Sequence, residues 1–178
     1  HFLPRECSMT YAPRAISVRL VLIAMLTMLA ATLLPARPAE AVVLDKYAIV
    51  TAYAQSQLGV PYVSNAMQPG AGFDCSGFTK WVMSTVGVGL THFSGAQWNE
   101  GLAAWPLKDK AQLKRGDLIF FTDIAGGTTI NHVGMFLGGS GADADLYIHS
   151  AEGIGVSLKH LNDGGTLGKR YYGHKRYF

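Results

Sequence analysis

The stretch Gly116-Asp117-Leu118-Ile119-Phe120-Phe121-Thr122, GDLIFFT, divides the chain into two kinds of sequence. Residues 118–122 form a short apolar run of aromatic and branched side chains behind a Gly-Asp turn, the composition of a strand. Asp117 reads as the turn residue that fixes where that strand starts. Beyond it the pattern repeats in HVGMFLG (132–138), LYIHSA (146–151), residues 155–161 and residues 171–178, with glycine-rich turns between them as hairpins require.

Ahead of Gly116 the apolar spacing is helical. Leu44, Tyr47, Ala48, Tyr53, Ala54 and Leu58 predict a helix over 44–58, closed by Gly59 and Pro61. Residues 63–73, with Pro69, Gly70 and Gly72, read as a loop. A second helix starts from Asp74, a favoured N-cap, carries Phe78, Trp81, Val82 and Val86 on one side, and closes at Gly87. Ser94-Gly95-Ala96-Gln97 has the form of a capping box for a third, short helix ending near Gly101. Helices first and an antiparallel sheet second is an α+β order.

Farther out, residues 1–41 have the form of an export signal. Arg14 and Arg19 precede an apolar run from Leu20 to Leu34, and Ala39-Glu40-Ala41 is a small-x-small cleavage pattern. With His1 in place of an initiator, the first residues read as an upstream extension and Met9 as the start. The apolar run is short for a membrane span, which needs about 20 residues, and no later segment is long enough. The expected product is an exported protein, periplasmic or extracellular, with no stable membrane span and no lipid-bearing cysteine after the run.

Residues 42–178 have the length of one domain with one core, expected to act as a monomer. They hold 11 Lys+Arg against 10 Asp+Glu, so the charge gives no case for nucleic-acid binding. The basic residues Lys169, Arg170, Lys175 and Arg176 read as a solvated edge strand before they read as a grip on an anionic polymer. Cys7 falls ahead of the expected cut, which leaves Cys75 alone and without an internal disulfide partner.

Four roles are open to that thiol: buried filler, half of a disulfide, a metal ligand or a nucleophile. As the first helical residue after an Asp74 cap, Cys75 is expected to face unpaired backbone N–H groups and the positive end of the helix dipole. That setting favours thiolate. Gly77 removes a side chain beside the sulfur, which would let a substrate backbone approach. A nucleophile needs a base, and alternation on the predicted strands puts His132 on the face opposite Val133 and Met135, while His149 lies beside Ile148 and Ser150. If those strands are neighbours, one imidazole acts as base and the other, stacked behind it, as its orienter. A zinc site from Cys75, His132 and His149 would lack any close ligand pair.

These residues carry a resemblance. GVPYV followed by FDCSGF, then GDLIFF, HVGMFLG and IHSAEGIGV, is similar to the NlpC/P60 cysteine peptidases over residues 58–161. The resemblance implies a papain-like α+β fold with N-terminal helices packed on an antiparallel sheet. It also implies hydrolysis of peptidoglycan stem peptides, usually between D-glutamate and the following diamino acid, without a cofactor. By position, Cys75 matches the nucleophile, His132 the base and His149 the third polar member of a Cys-His-His triad. Tyr62 matches a tyrosine near the thiol, and Asp74 and Ser76 match residues that recognise the N-terminal part of the stem peptide. The chain departs from the family at Ser64-Asn65-Ala66, and at His92 and Phe93, where an arginine is frequent. The GGSGADAD segment (138–145) is long enough to bring Asp143 or Asp145 in as orienter instead.

The partner implied is peptidoglycan or its muropeptides. Competing roles are an N-acetylmuramoyl-L-alanine amidase, an acyltransferase, and a non-catalytic wall-binding domain, which would have no need of Cys75, His132 and His149 together.

Overall fold

The computed structural model describes residues 45–102 and 108–178. The expected export signal lies outside the described residues. The elements are α1 (Lys46–Gln55), β1 (Met67–Gln68), β2 (Gly72–Phe73), α2 (Cys75–Ser84), α3 (Ser94–Glu100), β3 (Leu118–Thr122), β4 (Ile130–Phe136), β5 (Leu146–Ala151), β6 (Gly155–His160), the single turn α4 (Thr166–Lys169) and β7 (Tyr171–Lys175). Strands β3 to β7 form one antiparallel sheet in the order β6-β5-β4-β3-β7. The α+β expectation from the order of elements is met, and no helix among the described residues is long and apolar enough to cross a membrane.

The GDLIFFT strand, β3, lies between β4 and β7 and is buried throughout. Leu118 and Phe120 meet Phe78, Val82 and Met83 of α2 and Val50 and Ala54 of α1 in one core layer, with Val133, Met135 and Ile148 from the neighbouring strands. Ile119 and Phe121 face the other way, into a smaller cluster with Phe136, Tyr147 and Leu161. A strand covered on both faces has no solvent side to mark with polar residues, which explains the continuous apolar run.

Between β3 and β4 the register passes from Phe121↔His132 to Thr122↔Ile130, leaving Asn131 as an extra residue directly before His132. A bulge of this kind bends the strand and re-aims the side chain beside it. The pairing therefore decides where His132 points.

Several sequence expectations are modified. Helix α1 ends at Gln55, short of Leu58, after an Asp45 cap that accepts from the N–H groups of Tyr47 and Ala48. The expected loop over 63–73 holds the small hairpin β1–β2, paired Met67↔Phe73 and Gln68↔Gly72. Helix α3 has Phe93, not Ser94, at its N-cap, with no side-chain cap bond. The Gln97 side chain turns inward instead and bonds the Thr79 hydroxyl at 2.8 Å and the carbonyls of Ser76 and Thr91 at 2.9 Å each. It ties α3 to α2, so the burial of its amide outweighs the local box.

Of the four basic C-terminal residues only Lys175 lies on the edge strand, β7, with Arg176 directly after it, and neither of these two is simply solvated. Lys175 is buried with its ammonium 4.9 Å from the Trp98 ring centroid, and Arg176 grips Asp117 through two bonds of 2.9 and 2.8 Å. Asp117 also accepts the Lys114 N–H at 2.8 Å, the turn-fixing role expected of it.

Candidate active site

The helix start at Asp74 is closed by its own side chain. Asp74 is extended (φ −85°, ψ 179°), and its Oδ1 accepts the Gly77 N–H at 2.7 Å and the Ser76 hydroxyl at 3.1 Å. Both carboxylate oxygens meet His92 Nε2, at 2.9 and 2.8 Å. The Asp74 N–H donates to the Ala66 carbonyl at 3.0 Å. As expected of a cap, the carboxylate turns onto the helix N–H groups. His92 is the residue whose part here the sequence did not disclose: it marked only a departure from an arginine, and sequence separation hides the contact.

Gly77 has a different purpose from the one expected. A Cβ there would run into the Ala66 carbonyl and lie 2.9 Å from His92 Nε2 and 3.0 Å from Met67 Cα. The space beside this helix turn is filled by the chain's own hairpin, so the glycine admits β1 and not a substrate.

Cys75 is the first residue of α2 and is partly exposed. The N–H groups of Val133, Ser76 and Cys75 itself favour its thiolate, and the side chain packs against the core that holds Val133, the residue after His132. Burial nevertheless pushes the thiol up to about 11, with the Asp74 charge adding to it and those donors opposing it. The depressed thiol expected from the helix N-terminus is overturned, because desolvation of a thiolate outweighs the N–H donors and dipole that would stabilise it.

His132 and His149 stand on adjacent strands, β4 and β5, and His132 Nε2 lies 2.8 Å from His149 Nδ1. The rings meet edge to face, 5.1 Å apart at 89°, rather than stacked. Gly134 permits the approach, since a Cβ there would sit 2.9 Å from the Ile148 carbonyl and 3.2 Å from His149 Cβ. His132 is lowered to about 3, first by burial and then by His149 and Arg170; His149 is lowered to about 4 by burial and then by Lys159. His149 is 1 % exposed, and its Nε2 has no hydrogen-bond partner among the described residues.

Asp143 and Asp145 do not reach this pair. Asp145 bonds His160 at 2.8 Å and the Asn162 N–H at 2.7 Å, and Asp143 lies 3.9 Å from the same His160 ring. The long 138–145 segment thus folds back on the end of β6.

Tyr62 forms a bridge with Phe73, the residue before the cap. Its hydroxyl is shifted upward by burial first and then by the charges of Cys75, Asp74 and Glu152. With Pro61, Gly153, Ile154 and Gly155 it lines a cavity of about 300 Å³. Among the described residues no group of three His, Cys, Asp or Glu side chains converges as metal ligands. A thiol in contact with one strand, and an imidazole on that strand bonded to a second imidazole, can together attack an acyl carbon and move the proton.

The model of the NlpC/P60 family matches residues 59–176. The chain is 38% identical over 121 residues to a gamma-D-glutamyl-L-lysine dipeptidyl-peptidase of Bacillus cereus, covering 67% of this chain and 33% of that protein. It is 40% identical over 97 residues to the peptidoglycan endopeptidase RipB of Mycobacterium tuberculosis, covering 48% of this chain and 37% of that one. The chain thus spans about a third of the length of these relatives. Among solved structures it is similar to an NlpC/P60 family protein from Bacillus cereus, with a TM-score of 0.64 and 32% identity, over 74% of this chain and 40% of the other. It is also similar to the P60 domain of a Mycobacterium avium subspecies paratuberculosis antigen, with a TM-score of 0.53 and 29% identity, over 74% of this chain and 93% of the domain.

Proposed function

We propose, because the chain belongs to the NlpC/P60 family, that it is an exported cysteine endopeptidase that hydrolyses peptidoglycan stem peptides at the D-glutamyl to diamino acid bond. The observation that carries this is the join between helix and sheet: Cys75 at a capped helix start packs on the core that holds Val133, and the residue before Val133, His132, is bonded to His149. The names of the relatives support the substrate, one cleaving next to a gamma-D-glutamyl group and another acting on peptidoglycan. Export is supported by the Leu20 to Leu34 run and the Ala39-Glu40-Ala41 pattern.

With the thiol high and the imidazole low, the resting pair is neutral. Proton transfer therefore accompanies attack. As the Cys75 sulfur bonds to the acyl carbon, its proton passes to His132, and the carbonyl oxygen takes up the charge beside the Cys75 N–H and the Tyr62 hydroxyl. An imidazolium of low basicity is a strong acid, so His132 delivers the proton to the departing amine and the C–N bond breaks. Water then opens the thioester, and the proton it loses passes through the same imidazole to the departing Cys75 sulfur, which restores the neutral pair. Asp74 and Ser76 hold the helix start and are assigned to the N-terminal part of the stem peptide, with His92 in place of the family's arginine.

Digestion of purified muropeptides by the protein and by its Cys75→Ala variant, read by mass spectrometry, tests this. Products ending in D-glutamate are expected from the intact protein and none from the variant. Release of a whole stem peptide would assign an amidase, transfer to an added amine an acyltransferase, and binding without cleavage a wall-binding domain.

A further inference from the structure

The loop that carries His92 is fixed by bonds of its own, apart from the one to Asp74. Gln97 of α3 donates to the Thr91 carbonyl at 2.9 Å, Glu100 accepts the Thr91 N–H at 2.9 Å, and Lys80 of α2 donates to the Leu90 carbonyl at 2.7 Å. The ring is thereby set against the first turn of α2, with Nε2 2.9 Å from where a Cβ would stand at Gly77.

The two ring nitrogens stand in different settings. Both oxygens of Asp74 face Nε2, at 2.9 and 2.8 Å, so that nitrogen carries a proton; a bare lone pair there would face a carboxylate. Oδ1 also accepts from Ser76 and Gly77, whereas Oδ2 has His92 as its one partner among the described residues. Nδ1 bonds nothing among the described residues, and the side chain is 22 % exposed, so Nδ1 is the nitrogen open to water. A second proton can therefore come and go there while the Nε2–H stays on Asp74.

What that proton changes is the charge beside the nucleophile. Asp74 caps the turn on which Cys75 stands, and after burial its negative charge is a further cause that opposes the thiolate. A neutral His92 orients Asp74 without cancelling it; an imidazolium offsets it. A guanidinium at this place would be charged at every pH the protein meets, whereas an imidazole changes charge between about pH 5 and 8. The other charges packed around the loop, Lys80 and Glu100, are of opposite sign and held on Leu90 and Thr91, and Ala66 and Met67, which share the space at Gly77, carry none. His132 and His149, lowered to about 3 and about 4, stay neutral across that range. Of the remaining histidines among the described residues, His160 bonds Asp145 and His174 meets the Tyr171 hydroxyl, neither of them part of the helix start.

We propose that His92 is a positioning residue that makes the readiness of Cys75 depend on pH: on taking a proton at Nδ1 it offsets the charge of Asp74, and the thiol then gives up its own proton more readily. The nucleophile is thereby adjusted to mildly acidic surroundings. This rests on Cys75 as the nucleophile of the function proposed above, and not on which bond it cuts.

The test reads the thiol without a substrate. The protein is treated from pH 5 to pH 8 with methyl methanethiosulfonate, a neutral reagent that reacts with thiolate, and labelling of the Cys75 peptide is followed by mass spectrometry. For a thiol pushed up to about 11, the rate would otherwise climb about tenfold per pH unit throughout this range. The intact protein is expected to fall short of that whole climb by about threefold to tenfold, because the thiol is more acidic at the low end. His92→Gln keeps an N–H for Asp74 but never charges, so it should show the full climb, with the rate at pH 8 unchanged. His92→Arg should also show the full climb, with the rate at pH 8 raised by the same factor. His160→Gln, which alters a histidine bonded to Asp145, should leave the shortfall in place. A full climb in the intact protein, or a shortfall that survives in His92→Gln, overturns the inference. Muropeptide digestion is read separately: no cleavage there would sink the endopeptidase function, while the labelling profile would still decide the role of His92.

Discussion

The two halves of the site are held by opposite means. On the helix side, Asp74 meets three donors, from Ser76, Gly77 and His92, and its own N–H is bonded to Ala66. On the sheet side, His132 and His149 share one hydrogen bond, both are shifted toward their neutral forms, and one buried nitrogen has no partner among the described residues. A group that moves no proton can be saturated with hydrogen bonds. One that has to take and release a proton cannot, because each bond to one protonation state opposes the other.

The most damaging way to disturb the helix side is Gly77→Ala. The added carbon would meet backbone, at the Ala66 carbonyl and at Met67 Cα, and backbone yields less readily than a side chain. A loss of about 3 kcal/mol or more in unfolding free energy is expected, at the upper end of what overpacking costs. Gly70→Ala, with nothing within 4 Å, is the control in the same hairpin and should stay within about 0.5 kcal/mol. Urea unfolding of both variants measures the contrast.

The sheet side should fail toward acid. An unfolded histidine takes up its proton near pH 6.5, whereas folded His149 resists until about 4. Between those values the unfolded chain binds more protons than the folded one, so stability falls as pH drops from 6.5. His149→Asn removes this contribution. It is expected to lessen the loss of unfolding free energy between pH 7 and pH 5 by up to about 2 kcal/mol, whatever it does to stability at pH 7. Asp74→Asn provides the contrast, since it removes a different charge and should leave the His149 part of the acid slope in place.

This contrast also marks what could be read in the sequence. The β3 run, the Asp74 cap and the face shared by His132 and Gly134 follow from local pattern, and each stands where alternation or capping puts it. The bulge at Asn131 does not, because it depends on how β3 and β4 pair. Gln97 kept its helix but not its cap, as tertiary bonding to Thr79 outcompeted the local box. His92 lies 18 residues from Asp74, and nothing in the spacing of the two predicts their contact. The direction of the thiol's shift escapes the sequence for a related reason: a helix start can be seen there, but the depth at which it is buried cannot. The family resemblance names the residues of the candidate site, and their burial in the fold sets the direction in which each is shifted.

That burial supplies the smallest and most direct measurement. With the Cys75 thiol pushed up to about 11, very little thiolate is present at pH 7, far less than for an ordinary cysteine near 8.5. A more basic thiolate is also a better nucleophile, which recovers part of the deficit. Alkylation by iodoacetamide at pH 7 is therefore expected to run about twenty- to thirtyfold slower than for a free cysteine, and to keep rising with pH past 9 toward about 11. His132→Gln should leave this profile nearly unchanged if the resting pair is neutral, because there is no imidazolium for the thiolate to lose. A profile that levels off near neutral pH, and loses that plateau in His132→Gln, would instead show a thiolate–imidazolium pair, and would place proton transfer before substrate binding rather than during attack.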